Sequence, residues 1–277
     1  MIDLHSHTNK SDGSLAPSEL IDLALRKRLQ TLAITDHDTL EGYDEAAPYA
    51  RQSGLELICG VELSTRFRGR TIHVLGYFFD GDPGDEFRHH LDCLQTGRRE
   101  RNVRLAARLR ELGLQVEREE AERFGMSQTG RPHFARLLVE KGYVSDVRQA
   151  FDLYLDESAP GYVERREAPL ENILRWIHQG GGLASWAHPV RQVRESGAAV
   201  EALFREMADQ QMDAIEAYHS DHSPEDQAAY LAAAAKVGLA VTGGSDFHGD
   251  SKPHIDLGQV ALPPDRLESL RGLRRVA

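Results

Sequence analysis

Strand and helix signals alternate at both ends of this 277-residue chain and stop alternating in the middle. Asp3–His7 reads as a strand, Pro17–Arg28 as a helix with proline near its start, Leu32–Asp38 as a strand, and Leu40–Gly54 as a helix closed by glycine. Two more extended runs follow, Leu55–Thr65 and Arg70–Asp80, with a hairpin expected through Arg68, Gly69 and Arg70. From Pro83 to Tyr162 the character changes to long polar helices with few β-branched runs. The alternation then resumes: helix Ala168–Gln179, strand Gly182–Pro189, helix Ala199–Gln210, strand Asp213–His219, helix Pro224–Lys236 and strand Leu239–Gly249. A last strand, Gly258–Leu262, and a short terminal helix are expected after it. Such a chain forms a βα barrel or a layered parallel sheet, because each helix must cover a strand pair and return the chain in the same direction. We expect the barrel to comprise residues 1–82 and 163–277, with 83–162 inserted as a helical subdomain.

The same alternation places the histidines. Strand side chains alternate in direction, so Asp3, His5 and His7 share one face and two imidazoles can reach one ion. Asp246 and His248 repeat the arrangement late in the chain, after Gly243 and Gly244. Between them lie Asp12, His37, Glu62, His73 and His188, each at or after a strand end, where βα folds place their sites. These nine residues are the candidate metal ligands. One ion takes four to six ligands, so nine fit two or three ions with Glu62 as a shared carboxylate. A lone histidine on a strand is usually an ordinary core or surface group; the ordered series at successive strand ends is what carries the metal reading. His89, His90, His178, His219, His222 and His254 fall outside the pattern and are expected at the surface or behind the ligands. Asp36 and Asp38, flanking His37, are expected to orient ligands or form turns.

These ordered motifs resemble the PHP (polymerase and histidinol phosphatase) family, over roughly residues 1–80 and 165–260. The resemblance implies an α/β fold, a distorted (β/α)7 barrel with the inserted helical subdomain, and three metals at the carboxyl ends of the strands. It assigns His5, His7, Glu62 and Asp246 to the first metal, Glu62, His73 and His188 to the second, and Asp12, His37 and His248 to the third. Manganese is the first choice by family similarity, with zinc or iron as alternatives for such mixed ligands. The insertion carrying Gly130–Arg136 is similar to the family branch that hydrolyses the 3′-phosphate of 3′,5′-nucleotide bisphosphates and 5′-phosphorylated short RNA. Histidinol-phosphate phosphatase and DNA exonuclease are the alternatives. A metal pair would acidify a shared water, and the resulting hydroxide would attack phosphorus without a covalent enzyme intermediate; His5, His7, Glu62 and Asp246 are its catalytic residues in this reading.

Charge and composition test that reading. The formal charge is -11, which excludes a general nucleic-acid coat and disfavours stable duplex-DNA binding. Six neutral histidines and three carboxylates, however, offset only half the charge of three divalent ions, so the site itself would attract phosphate. Arginine outnumbers lysine, 28 to 5, a ratio that genome composition can produce by itself. Location adds to it: from Arg98 to Arg136 ten arginines face six glutamates with no Lys or Asp, a local balance of +4. Many should pair along solvated helix faces, as Arg104 and Arg108 with Glu100 suggest, while Arg131 and His133, at a helix start fixed by Gly130 and Pro132, are candidates to touch substrate. Arg191 and Arg99 are the other substrate candidates. Two cysteines make no disulfide framework, no apolar run approaches a membrane span, and no presequence precedes the first strand; a cytoplasmic enzyme without membrane partners is expected.

Overall fold

The structure is a computed structural model that describes residues 1–125, 129–164, 167–196 and 198–273. The last four residues of the expected barrel portion, 274–277, lie outside the described residues, as do 126–128, 165–166 and 197. Seven strands form one sheet in chain order: β1 (Ile2–Asp3), β2 (Thr31–Ile34), β3 (Glu56–Phe67), β4 (Arg70–Phe78), β5 (Leu183–Trp186), β6 (Ala214–His219) and β7 (Ala240–Gly244). All neighbours run parallel except β4, which is antiparallel to both β3 and β5. The β3–β4 turn is tight because Arg68 and Gly69 both take positive φ, the conformation a two-residue hairpin needs to match strand twist. The sheet nearly closes on itself. Leu4 N donates to Gly243 O, Asp246 N to His5 O and His7 N to Phe247 O, so the chain beyond β1 continues beside the chain beyond β7. Gly244 permits this approach: a Cβ there would lie 2.3 Å from the His5 nitrogen. The result is a distorted seven-stranded α/β barrel.

Helices α1 (Pro17–Arg26), α2 (Glu41–Ser53), α7 (Leu170–Gln179), α9 (Val200–Asp209), α10 (Pro224–Val237) and α11 (Pro264–Leu273) surround the strands. Their apolar stripes supply the reason: α7, for example, buries Leu170, Ile173, Leu174 and Ile177, a run at helical spacing. Pro17 opens α1 and Gly54, at φ +73°, closes α2. The expected strand Gly258–Leu262 does not form. Gly258 gives its N–H to the Asp3 carboxylate, and a single ladder-like bond remains, Leu262 N to Ile2 O. A side chain has taken the donor that a strand would have used.

The inserted segment carries α3 (Asp85–Glu111), α4 (Arg118–Gly125), α5 (Arg131–Glu140), α6 (Val147–Ala150) and a π-helical turn, Phe151–Leu155. Its later part has a buried cluster of its own, including Leu105, Leu109, Phe134, Leu137 and Leu138, whereas Phe87, Leu91 and Leu94 in the first half of α3 belong to the main barrel cluster. Arg104 and Arg108 do not form the expected pairs with Glu100. Arg104 reaches the carbonyl of Glu164, and Arg108 reaches that of Pro160 while pairing with Glu111 along the helix at 2.8 Å. A further short helix, α8 (Val190–Ser196), follows β5.

Candidate metal centre

The nine predicted ligands converge at one mouth of the barrel. Glu62 sits at their middle, in β3, almost fully buried. Its Oε2 lies 3.3 Å from His5 Nε2, 3.1 Å from His7 Nε2 and 3.4 Å from His37 Nδ1, while Oε1 lies 2.7 Å from His73 Nδ1 and 3.1 Å from His188 Nε2. Asp246 Oδ1 is 3.3 Å from both His5 Nε2 and His7 Nε2. Asp12 faces His7, His37 and His248 at 3.6, 3.7 and 3.3 Å. Four groups of possible ligand atoms result among the described residues: His5, His7, Glu62 and Asp246; His37, Glu62 and His73; His7, Asp12, His37 and His248; and His5, Glu216 and His219, while His188 approaches Glu62 without joining a group.

These spacings fit ions. An ion about 2.1 Å from each ligand holds neighbouring ligand atoms roughly 3.0 to 3.4 Å apart. Moreover, His7 Nε2 and His37 Nδ1 are buried yet lack a hydrogen-bond partner among the described residues, despite their short approaches to Glu62. Ligand atoms aimed at a common point, rather than at one another, give that combination. Burial opposes charge throughout the cluster; the mutual fields prevail at Glu62, Asp12, Asp246, His5 and His7, and burial prevails at His37 and His188. Histidines hold Glu62, Asp12 and Asp246 well below the usual carboxylate range, and Glu216, Asp246 and Glu62 raise His5 well above the usual imidazole value. His7 rises to about 9 for similar reasons, through Asp246, Glu62 and Asp12. His37 is driven down to about 3 by burial, and His188 is lowered well below normal by burial and by Arg191.

Backbone strain and a ring of hydrogen bonds hold the ligands. Asp246 and His188 have φ of +58° and +31°, where a side chain is disfavoured. Asp246 N is held by His5 O, and His188 N by Glu216 Oε2 at 2.8 Å. Asp36 accepts from Thr8 N, Thr8 Oγ1 and Ser11 Oγ, which pins the loop carrying Asp12. Asp38 pairs with Arg98 of α3 and gives its carbonyl to Gln95, docking the helical segment beside His37. Asp3 accepts from Ser245 N, Ser245 Oγ and Gly258 N.

Two supporting residues escaped the sequence reading. Glu216, fully buried in β6, accepts from His5 Nδ1 at 2.9 Å as well as from His188 N. A lone acid amid the apolar residues of a strand buried on both faces was its signal. Lys252 donates to Asp246 Oδ2 at 2.6 Å from a loop with no distinguishing pattern. His219 lies behind the ligands, buried, with Nε2 3.6 Å from Asp246 Oδ2.

A cavity of about 190 Å³ opens beside Asp12, His37 and His73. Arg98, Arg101, Arg131 and His133 wall it from the helical segment, with Phe151 and Tyr162. Arg131 lies 5.5 Å from the Tyr162 ring centroid and donates to Leu155 O. His133 Nδ1 accepts from Gly130 N, and burial lowers its pKa to about 4, so at neutral pH its proton is on Nε2. Arg99 is exposed and not part of this wall; its neighbours Arg98 and Arg101 are. Arg191 is half-exposed, paired with Asp221 at 2.9 Å and 3.7 Å from Asp246, outside the cavity wall.

A barrel mouth that gathers these ligand sets under an arginine-walled cavity defines a metal-dependent phosphoesterase. The comparisons agree in class and extend over nearly the whole molecule. The chain belongs to the PHP domain family, whose pattern matches residues 3–257. It is 36% identical over 268 residues to a 3′,5′-nucleoside bisphosphate phosphatase of Chromobacterium violaceum, covering 95% of this chain and 93% of that one. It is 37% identical over 278 residues to the 5′-3′ exoribonuclease Rnm of Escherichia coli, covering 97% and 92%. A solved Bifidobacterium adolescentis structure described as a metal-dependent phosphoesterase superposes with a TM-score of 0.85 at 28% identity, covering 97% and 94%.

Proposed function

We propose that this enzyme removes the 3′-phosphate of 3′,5′-nucleoside bisphosphates and hydrolyses 5′-phosphorylated RNA from its 5′ end. The observation that carries the reading is the arginine-walled cavity opening directly onto His37, His73 and Asp12. A nucleoside bisphosphate bears phosphates at two ends, and the site offers two anion-binding regions, the ligand cluster and the arginine wall. The names of the two relatives, a bisphosphate phosphatase and an exoribonuclease, support the same substrate class.

In this reading His5, His7, Glu62 and Asp246, then Glu62, His73 and His188, then Asp12, His37 and His248 hold three divalent ions, with manganese as our choice. The ions supply Lewis acidity toward phosphate and a nucleophile at neutral pH. The protein's own residues bind and orient. Arg131 and Arg101 face the remote phosphate, and Arg98, fixed by Asp38, brings positive charge without a loose side chain. His133, neutral with its proton on Nε2, is a donor that does not change state near pH 7. Tyr162 and Phe151 offer faces to a base or ribose. Residues 83–162 act as the substrate-binding layer over the barrel. Cys59 and Cys93 are free thiols, in keeping with work in the cytoplasm.

The test is substrate preference. The manganese-loaded protein should release phosphate from pAp much faster than from histidinol phosphate; the reverse order would sink the substrate assignment.

A further inference from the structure

Two cavities, not one, meet at the ligand cluster. The first has His37 and His73 in its wall; a second, of about 430 Å³, has His248. Asp12, Pro132 and His133 line both. The group Asp12, His37 and His248 therefore stands at the partition, with His37 on one side and His248 on the other. Arg136 from α5 brings the cation not already paired with a ligand carboxylate, since Lys252 is held by Asp246; Asp250 also lines the second cavity, Ser14 and Ser251 bring hydroxyls, and Val147 is exposed there. Arg136 is exposed, its guanidinium 4.9 Å from the Phe124 ring centroid, and Ser14 Oγ is fixed by the Asp250 N–H.

The two substrate types differ in what lies beyond the phosphorus that is attacked. In both, a water oxygen forms a bond to phosphorus, the bond from phosphorus to the ribose O3′ breaks, and O3′ takes a proton. From a nucleoside bisphosphate the other product is inorganic phosphate, which needs no further room. From RNA, the phosphorus stays esterified to the next nucleoside, which must sit on the far side of the cluster from the first. A single-stranded nucleotide is held by cations at its phosphate and by flat faces at its base; in the second cavity Arg136 is the cation, and Pro132, Val147 and the His133 ring form the face beside it.

Resting on the function proposed above, we propose that the second cavity binds the nucleotide on the 3′ side of the cut phosphodiester, so that one cluster serves bisphosphates with one cavity and single-stranded RNA with two. The product strand carries a new 5′-phosphate and is a substrate again.

The experiment compares kcat/KM for pAp and for the 5′-phosphorylated diribonucleotide pApA in the wild type, Arg136→Glu and Val147→Asp. The expected result is a pApA-to-pAp ratio lowered about 10-fold or more in both variants, the scale of one lost nucleotide contact. An unchanged ratio, whether both activities fall together or neither falls, overturns the second cavity. A wild type that cleaves pAp but not pApA also overturns it while leaving the phosphatase reading intact, and one that cleaves neither overturns the function on which it rests.

Discussion

The barrel mouth and the helical segment above it are built on opposite rules. At the mouth, the strands and the turns beyond them bring charged and titratable side chains out of contact with solvent: His5, His7, Glu62 and Asp246 are all buried, and the buried Glu216 fixes His5 and His188. In the segment, α3 is polar on most of its surface, the apolar cluster lies away from the cavity, around Leu109, Phe134 and Leu138, and several arginines are tied to carbonyls and carboxylates. A metal cluster needs ligand atoms fixed to a fraction of an ångström, which a barrel rim provides. A substrate wall needs reach and positive charge, which long side chains on helices provide. The two meet along the first half of α3, where Phe87, Leu91 and Leu94 pack into the main barrel core, and again at Arg98 and Gln95 on Asp38, beside His37.

Separate perturbation of the two regions sharpens this contrast. The largest effect belongs to the mouth: Asp246→Asn combined with His37→Ala should lower phosphate release from pAp by at least about 1000-fold, since both strip ligands from charge-stabilising groups. Phe134→Ala, in the segment's own cluster, should cost about 3 to 5 kcal/mol of stability in denaturant unfolding, the scale for truncating a fully buried aromatic. If the two regions are distinct, it leaves metal affinity unchanged; a parallel fall would merge them. Glu216→Gln should weaken metal affinity about 10- to 100-fold in chelator competition, because the charge beside His5 is lost and either His5 Nδ1 or His188 N then faces an amide NH2 in place of an acceptor.

The smallest effect is a pH dependence in the segment. Burial lowers His133 to about 4, below the usual 6.5, so the unfolded chain binds its proton first as pH falls. Stability linked to this group is complete above about pH 6.5 and declines as pH drops toward about 4. His133→Gln should flatten that part of a melting-temperature profile and leave the neutral limb in place.

The same contrast explains what the amino-acid order disclosed. The nine candidate ligands could be singled out because period-two alternation puts His5 and His7 on one face and because His37, His188 and Asp246 follow strand ends; Glu62 and His73 stand inside β3 and β4 instead. Glu216 was harder to find, since its role depends on which strands become neighbours, β5 with β6 and β1 with β7. In the segment, periodicity loses its force: α3 is so polar that its cavity-facing side cannot be phased from hydropathy, which is why Arg99 was chosen and Arg98 and Arg101 were not. Packing decides there, through the buried series Gln95, Arg98, Asn102, Leu105 and Leu109. The expected strand Gly258–Leu262 was lost to a contact that no local pattern announces, the N–H of Gly258 on Asp3.

The central claim is that the barrel mouth alone holds the metal and that Glu62 joins two of its ligand sets. The most direct test is elemental analysis of manganese bound to purified Glu62→Gln and Arg131→Ala proteins after equilibration at one free-metal concentration. Arg131→Ala should carry the wild-type content and Glu62→Gln clearly less; equal contents in the two variants, full or depleted, would contradict the account.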